Sequence, residues 1–366
     1  MAKDVMGAKC PCCSAPLRFD GEIGKLKCDA CGNEYEEELM RQVDEAMGQS
    51  SKVDEMAWET TGAETWSGDE KEKLHTYSCP SCGAEIVVDD TTAATECVYC
   101  GNPSIMPGQM SGDYRPDAVL PFKKTKKDAQ NAYKQLISGK RLLPPLFAQE
   151  NRIEKITGVY VPFWLFECDA EADMTFRAER TSVHTRGNYR VTDTDHFLVL
   201  RGGKVGFANV PVDGSTKFQD NLTEAIEPFD HENEESFSTA YLPGYQAERY
   251  DVDADAAKPR ADERVRESVR EAFAATVNGY TSVVNQSASI RLEKGNVRNV
   301  LIPVWMLNTR WKDKTYTFAM NGRTGKIVGK LPVDKKRALF WGLGLLAGSF
   351  VVLFGGALVL FATGVI

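Results

Sequence analysis

Cysteines recur along the first hundred residues in two copies of one spacing, and no other feature constrains the fold as much. Cys10 and Cys13 are followed, after fourteen residues, by Cys28 and Cys31; Cys79 and Cys82 are followed, again after fourteen, by Cys97 and Cys100. A two-residue gap lets one tight turn present two sulfurs, and two such turns complete the four thiolates of a tetrahedral zinc ion. Gly32, Gly83 and Gly101 follow the second cysteine of three pairs, where the turn calls for positive φ, while Ser14 stands at that place in the fourth. Residues 17–20 and 25–27 read as two short strands around a turn, and 85–89 as the first strand of the second copy. Segments this short bury little apolar area, so metal binding is expected to supply most of their folding free energy, on the order of 10 kcal/mol.

The ligand assignment is therefore Cys10, Cys13, Cys28 and Cys31 for one Zn²⁺ and Cys79, Cys82, Cys97 and Cys100 for a second. A catalytic zinc keeps a coordination position open for water, and a four-cysteine site has none, so both ions are read as structural and no catalytic residue is assigned. Cys12 could replace Cys13 as a ligand or be a spare thiol, and a non-ligand is expected. Cys168, alone after an apolar run, reads as a small buried hydrophobe.

The 366 residues suggest two or three structural units. A net charge of −8 argues against a general polyanion-binding surface, so nucleic acid is a disfavoured partner. Residues 1–9 lack the charged-then-apolar pattern of a secretory leader, so the N-terminal part is expected in the cytosol. There the reduced thiol pool favours metal ligation over disulfides.

The expected fold is α+β: zinc ribbon 1 (1–35), an acidic connector (36–75), zinc ribbon 2 (76–115), an α+β domain with an internal repeat (116–333) and a transmembrane helix (338–366). Within the connector, Leu39, Val43 and Met47 suggest a short amphipathic helix over 36–47, and Trp58 and Trp66 are expected to pack locally, with anchoring on the neighbouring domain or on a partner as the alternative. In the next domain, 128–138 and 259–277 read as helices. Tyr160-Val161-Pro162-Phe163-Trp164 corresponds to Leu301-Ile302-Pro303-Val304-Trp305, which suggests a degenerate duplication over about 116–200 and 238–330. Residues 315–328 read as a hairpin with its turn at Asn321-Gly322.

His184, His196 and His231 show no His-Glu-x-x-His spacing, and the chain has neither a phosphate-binding Gly-x4-Gly-Lys-Ser/Thr loop nor a Gly-x-Ser-x-Gly elbow. Asp193-Thr194-Asp195-His196 could hold a cation, but ordinary solvated strand residues explain it equally well. Lys123, Lys124, Lys126 and Lys127 form a basic cluster, read as a solvated face, with anionic headgroups or an acidic partner as the sharper alternative.

Residues 339–366 carry no charge. As a helix they reach roughly 40 Å, enough for one tilted span of a hydrocarbon core about 30 Å thick. Lys335, Lys336 and Arg337 precede the span, so the positive-inside rule places the large N-terminal part in the cytosol, a tail-anchored topology, with Phe340 and Trp341 at the interface. Gly344, Gly348, Gly355 and Gly356 would permit close helix association, including a homo-oligomer.

Taken together, the chain resembles a bacterial family of tail-anchored membrane proteins with two transcription-factor-IIB-type zinc ribbons, often encoded beside phage-shock protein A and SPFH-domain proteins. The resemblance rests on Cys10 to Cys31, on Cys79-Pro80-Ser81-Cys82-Gly83-Ala84-Glu85-Ile86, on the two Pro-containing motifs, on 318–326 and on the terminal span. It implies a non-enzymatic adaptor in the membrane-stress response that docks phage-shock-type or SPFH-domain proteins at the inner face of the cytoplasmic membrane. Ribbons alone would also suit a membrane-tethered nucleic-acid binder.

Overall fold

The computed structural model describes residues 9–60, 66, 67, 70, 73–89, 92, 96–102, 106–108, 115–149, 153–218, 220–312 and 314–362. It is an α+β structure with a sheet-rich body. The chain opens with β1 (Leu17–Asp20), β2 (Lys25–Cys28) and β3 (Glu34–Tyr35), a three-stranded antiparallel sheet. Next comes α1 (Glu37–Ser50), with Glu37 and Glu38 in its first turn, where the helix dipole favours negative charge. The face expected to be buried here is shifted: Met40 and Ser50 are buried, while Leu39 and Met47 are exposed. Ser50 fixes that rotation, because its hydroxyl shares hydrogen bonds with Thr175 (2.8 Å) and Ser287 (2.7 Å).

Short strands follow: β4 (Glu59–Thr60), β5 (Leu74–Ser78), β6 (Glu85–Asp89), β7 (Met106–Gly108) and β8 (Ala118–Val119). Helix α2 (Lys126–Ile137) begins at a reciprocal cap between Thr125 and Asp128, and Gly139 at φ 70° lies beyond its end. The one-turn α3 (Pro145–Gln149) leads to β9 (Thr157–Arg186) and β10 (Tyr189–Asp213), then α4 (Asp220–Ile226), β11 (Glu235–Ser236) and β12 (Gln246–Glu248). Helix α5 (Ala254–Ala274) starts earlier than the sequence suggests and holds Pro259 inside it, at the loss of one backbone hydrogen bond. The chain continues through β13 (Ser282–Trp311), β14 (Lys314–Asn321), β15 (Ile327–Gly329) and α6 (Lys335–Ala362).

Two compact units emerge. One comprises Met1–Thr61, Trp164–Val212 and Ala254–Arg298, and the other Gly62–Phe163, Asp213–Asp253 and Asn299–Ile366. Residues 116–333 thus contribute to both.

In the first unit β9 alternates after Glu167, with Cys168, Ala170, Ala172, Met174, Phe176 and Ala178 in the core, and Thr175 the one position on the other face that is also buried. Against them pack Val265, Val269 and Phe273, spaced four apart on α5, with Ile290 and Leu292 of β13. Residues 55–60 lie along β13, with Glu59 and Thr60 paired in parallel to Asn296 and Val297. Trp58 meets Phe166 edge-on at 4.9 Å and donates its indole N–H to Asp262 at 2.6 Å, so it anchors on distant residues of the 116–333 segment and does not pack locally as expected. Gly295 permits this approach, since a Cβ there would lie 2.2 Å from the Ala57 carbonyl oxygen.

In the second unit β5 and β6 form an antiparallel hairpin, β12 pairs antiparallel with β6 and parallel with β9 at Val159 and Tyr160, and β8 pairs parallel with β13 at Val300 and Leu301. Phe122 stacks on Tyr245 at 4.3 Å and touches Tyr160 and Trp305 at 5.1 and 5.0 Å, so aromatic residues of both Pro-containing motifs meet one ring. The β14–β15 hairpin forms as read, but its positive φ falls on Gly325. Asn321 contributes through its side chain, whose oxygen accepts the amides of Arg323 (2.8 Å) and Thr324 (3.0 Å).

Truncating Phe176, 1% exposed at the centre of the first core, should destabilise the protein by about 3–5 kcal/mol. Denaturant unfolding of Phe176→Ala beside the parent protein measures this.

Candidate metal centres

Four knuckles carry the cysteine pairs, and they share one backbone pattern. In each, the carbonyl of the first cysteine accepts an amide four residues on, from Ser14, Gly32, Gly83 or Gly101, at 2.8 Å. The amide of the same cysteine donates to a carbonyl five residues on, at Ala15, Asn33, Ala84 or Asn102. The residue after the second cysteine takes φ of 61°, 78°, 71° and 70° in turn. Ser14 therefore adopts the left-handed turn that glycine takes in the other knuckles, at the cost of modest strain.

These turns bring Cys10, Cys13, Cys28 and Cys31 together in the first unit, and Cys79, Cys82, Cys97 and Cys100 in the second, with all four sulfurs of each group within 4.8 Å of one another. The contacts are 3.6 Å for Cys10–Cys31, 3.4 Å for Cys13–Cys28, 3.6 Å for Cys79–Cys100 and 3.7 Å for Cys82–Cys97. A tetrahedral ion with metal–sulfur bonds of about 2.3 Å spaces its sulfurs about 3.8 Å apart. Both quartets thus fit such an ion, and each could hold one. Cys10, Cys28, Cys79 and Cys97 are buried, while Cys13 and Cys31 are exposed and Cys82 and Cys100 half-buried, so the first centre is the more open.

The electrostatics point the same way. Burial raises the Cys10 thiol, but the Tyr35 hydroxyl and the amides of Cys13 and Cys12 outweigh it and bring its pKa to about 6. Burial likewise raises Cys79, and the amides of Cys82 and Ser81 bring it to about 7. A hydrogen bond with the Asn33 backbone lowers Cys31, yet burial and its neighbours Cys28, Cys10 and Cys13 push it up to about 12. One thiolate forms readily in a quartet and then resists the next; a divalent cation removes that resistance.

Cys12 lies outside the first quartet, and its backbone carbonyl accepts the Arg177 guanidinium at 2.7 Å. Cys168 is buried, and burial pushes its thiol up to about 12, as suits an inert core residue. His184 pairs with Asp193 at 3.4 Å and His196 with Glu179 at 3.2 Å, all four partly or largely exposed, and His231 pairs with Glu234 at 3.2 Å. Lys123, from the basic cluster, binds Asp230 at 2.6 Å and Glu232 at 3.3 Å. Among the described residues the two cysteine quartets are the clusters that could hold a metal.

At the other end of the chain, α6 contains one stretch, Lys335–Gly355, long and apolar enough to cross a membrane, with mean hydropathy 2.0 and none of it buried. Lys335, Lys336 and Arg337 form its exposed first turn. Trp341 lies two turns in, with the Arg141 guanidinium 4.9 Å from its ring.

No protein-family profile matches the chain, and neither does any solved structure. It is 33% identical over 349 residues to a Bacillus subtilis (strain 168) protein described as uncharacterized protein YdjG, across 95% of this chain and 96% of that one. The chain belongs to the YdjG family.

In this YdjG-family chain the second quartet is joined to the body of its unit by residues that cysteine spacing does not reveal. Tyr99, between Cys97 and Cys100, donates its hydroxyl to Glu248 of β12 at 2.5 Å, and Ser215 donates to the same carboxyl at 2.6 Å. Asn308 of β13 donates its amide to the carbonyls of Val98 and Tyr99. Position inside a knuckle is the one sequence signal for Tyr99; Glu248 has none. Burial is the main cause lifting the Glu248 carboxyl from about 4.5 to about 8, with the Ser215 and Tyr99 hydrogen bonds and Lys217 opposing and Asp251 reinforcing.

Elemental analysis should find about two metal equivalents per chain, falling to about one in Cys79→Ser and staying at two in Cys12→Ser and Cys168→Ser. Glu248 binds a proton in the folded state between about pH 4.5 and 8 and loses it on unfolding, so its contribution to stability falls as pH rises through that window. Glu248→Gln should flatten the decline in melting temperature between about pH 5 and 8, which thermal scans at fixed metal concentration will show.

Proposed function

We propose that this protein is a membrane-anchored zinc-ribbon adaptor that recruits cytosolic protein partners to the inner face of the cytoplasmic membrane during membrane stress. The observation that carries the reading is the exposure of α6: within the 21-residue stretch Lys335–Gly355, residues 338–355 carry no charge and none is buried, so they need an apolar solvent, and a bilayer supplies one. The rest is chemistry. Zinc suits a four-thiolate set, and four protein ligands leave no open position for a water or substrate, so the ions act by holding loops rigid. The cations Lys335, Lys336 and Arg337 at the start of α6 favour a cytosolic body with a single pass through the membrane. The acidic balance of −8 favours protein partners over nucleic acid. Resemblance to the tail-anchored double-ribbon family supports phage-shock-type or SPFH-domain proteins as those partners, and the two Pro-containing motifs in β9 and β13 fit a duplicated middle domain.

Affinity purification of the full chain from membranes in mild detergent should recover a specific protein partner, and replacing either quartet by serines should reduce recovery at least tenfold while the chain stays in the membrane fraction. Recovery of no partner, or full recovery with both quartets removed, would sink the adaptor reading. A salt-sensitive gel shift with DNA or RNA would replace it with nucleic-acid binding.

A further inference from the structure

Helix α6 is not joined to its unit through Asp334 alone. The Asp334 amide donates to the Leu142 carbonyl at 2.8 Å, the Arg337 guanidinium reaches the Leu143 carbonyl at 3.4 Å, and the Arg141 guanidinium sits 4.9 Å from the Trp341 ring. Trp341 is six residues into the helix, about 9 Å along its axis. The segment around Leu142 therefore runs beside the first two turns of α6.

That segment divides its apolar residues between two environments. Leu143 and Phe147, four apart, are buried in the core with Tyr133, Trp305 and Phe318. Leu142 and Leu146, also four apart, are exposed at 38% and 65%, and Val333, just before α6, is exposed at 58%. Lys140 and Arg141 are exposed beside them, as are Lys335, Lys336 and Arg337. The Asp334 carboxylate is taken up in capping α6, where it accepts the amides of Lys336 (3.0 Å) and Arg337 (3.2 Å). Aliphatic side chains in a surround of cations, level with the entry of an apolar helix, match the chemistry of an anionic bilayer surface: acyl chains below, phosphates above.

We propose that residues 140–147 form a second membrane contact, with Leu142 and Leu146 inserted at the headgroup–acyl boundary and Lys140 and Arg141 on lipid phosphates. This rests on the reading of α6 as a membrane span and adds to it. A lone span leaves the body free to swivel, whereas a contact beside the span fixes which face of this unit lies on the lipid.

The test is photo-crosslinking of the full chain in phosphatidylcholine–phosphatidylglycerol vesicles. Benzoylphenylalanine replaces, one at a time, Leu142, Leu146, Leu345 in α6, or Glu232, whose side chain is 79% exposed elsewhere in the same unit. Unchanged metal content confirms that each variant is folded. Mass spectrometry should find phospholipid adducts at Leu345 and at Leu142 or Leu146, at least tenfold above Glu232. Adducts at Leu345 with neither leucine above Glu232 overturn the second contact and leave the span intact. Crosslinks from the leucines to protein, whether a second copy or another chain, overturn it in favour of a protein interface. Absence of lipid at Leu345 removes the span itself, and this inference with it.

Discussion

Each half of a ribbon depends on a turn in which the first cysteine uses both its backbone groups locally. Its carbonyl takes an amide four residues ahead and its own amide reaches a carbonyl five ahead, so the loop closes on itself before any sulfur is engaged. This forces the residue after the second cysteine to positive φ and turns both thiols of the pair to one side. The strands that follow are too short to stabilise such turns: β1 and β2 have four residues each and β3 two. A cation bridging the pairs, which each quartet could hold, would stabilise the arrangement by offsetting both the loop entropy and the mutual repulsion of neighbouring thiolates.

The two ribbons are joined to their surroundings by different means. The first connects to the core of its unit through polar contacts at its edge, Arg177 to the Cys12 carbonyl, and through α1, anchored by Ser50 on Thr175 and Ser287. The second is continuous with the sheet, since β5 and β6 flank its first knuckle and β6 pairs with β12. Its second knuckle is held by Tyr99 on Glu248 and by Asn308 on two carbonyls. Loss of the ion from the second quartet would release a buried carboxyl from its phenol partner, whereas loss from the first would leave the core around Phe176 with its own contacts. The second quartet is thus the more closely tied to the fold of its unit.

The grouping of the eight cysteines into two quartets was legible because a tight turn that presents two sulfurs imposes its spacing on the sequence itself. The presence of α2 and the apolar character of α6 were legible for a similar reason: both depend on residues close together in the chain. The lengths of β9 and β13 were not. Beyond Phe166 the inward positions of β9 are Cys168, Ala170 and Ala172, small residues with weak strand preference, alternating with Glu167, Asp169, Glu171 and Asp173. They are small because α5 lies on them, a tertiary cause with no local trace. The buried face of α1 was misread for the same reason, since the deciding contact is a serine meeting two hydroxyls more than a hundred residues away.

Burial also explains why Glu248 escaped notice and why it matters. A carboxyl at the end of a three-residue strand looks like a solvated surface group in the sequence. In the structure it is 4% exposed and accepts hydrogen bonds from both Ser215 and Tyr99. An apolar residue of similar volume would pack there without a desolvation cost, but it could not hold the Tyr99 hydroxyl, which would then be buried without a partner. The carboxyl is therefore best understood as the counterpart of the knuckle: it costs stability when ionised, and in return it fixes the side chain lying between Cys97 and Cys100.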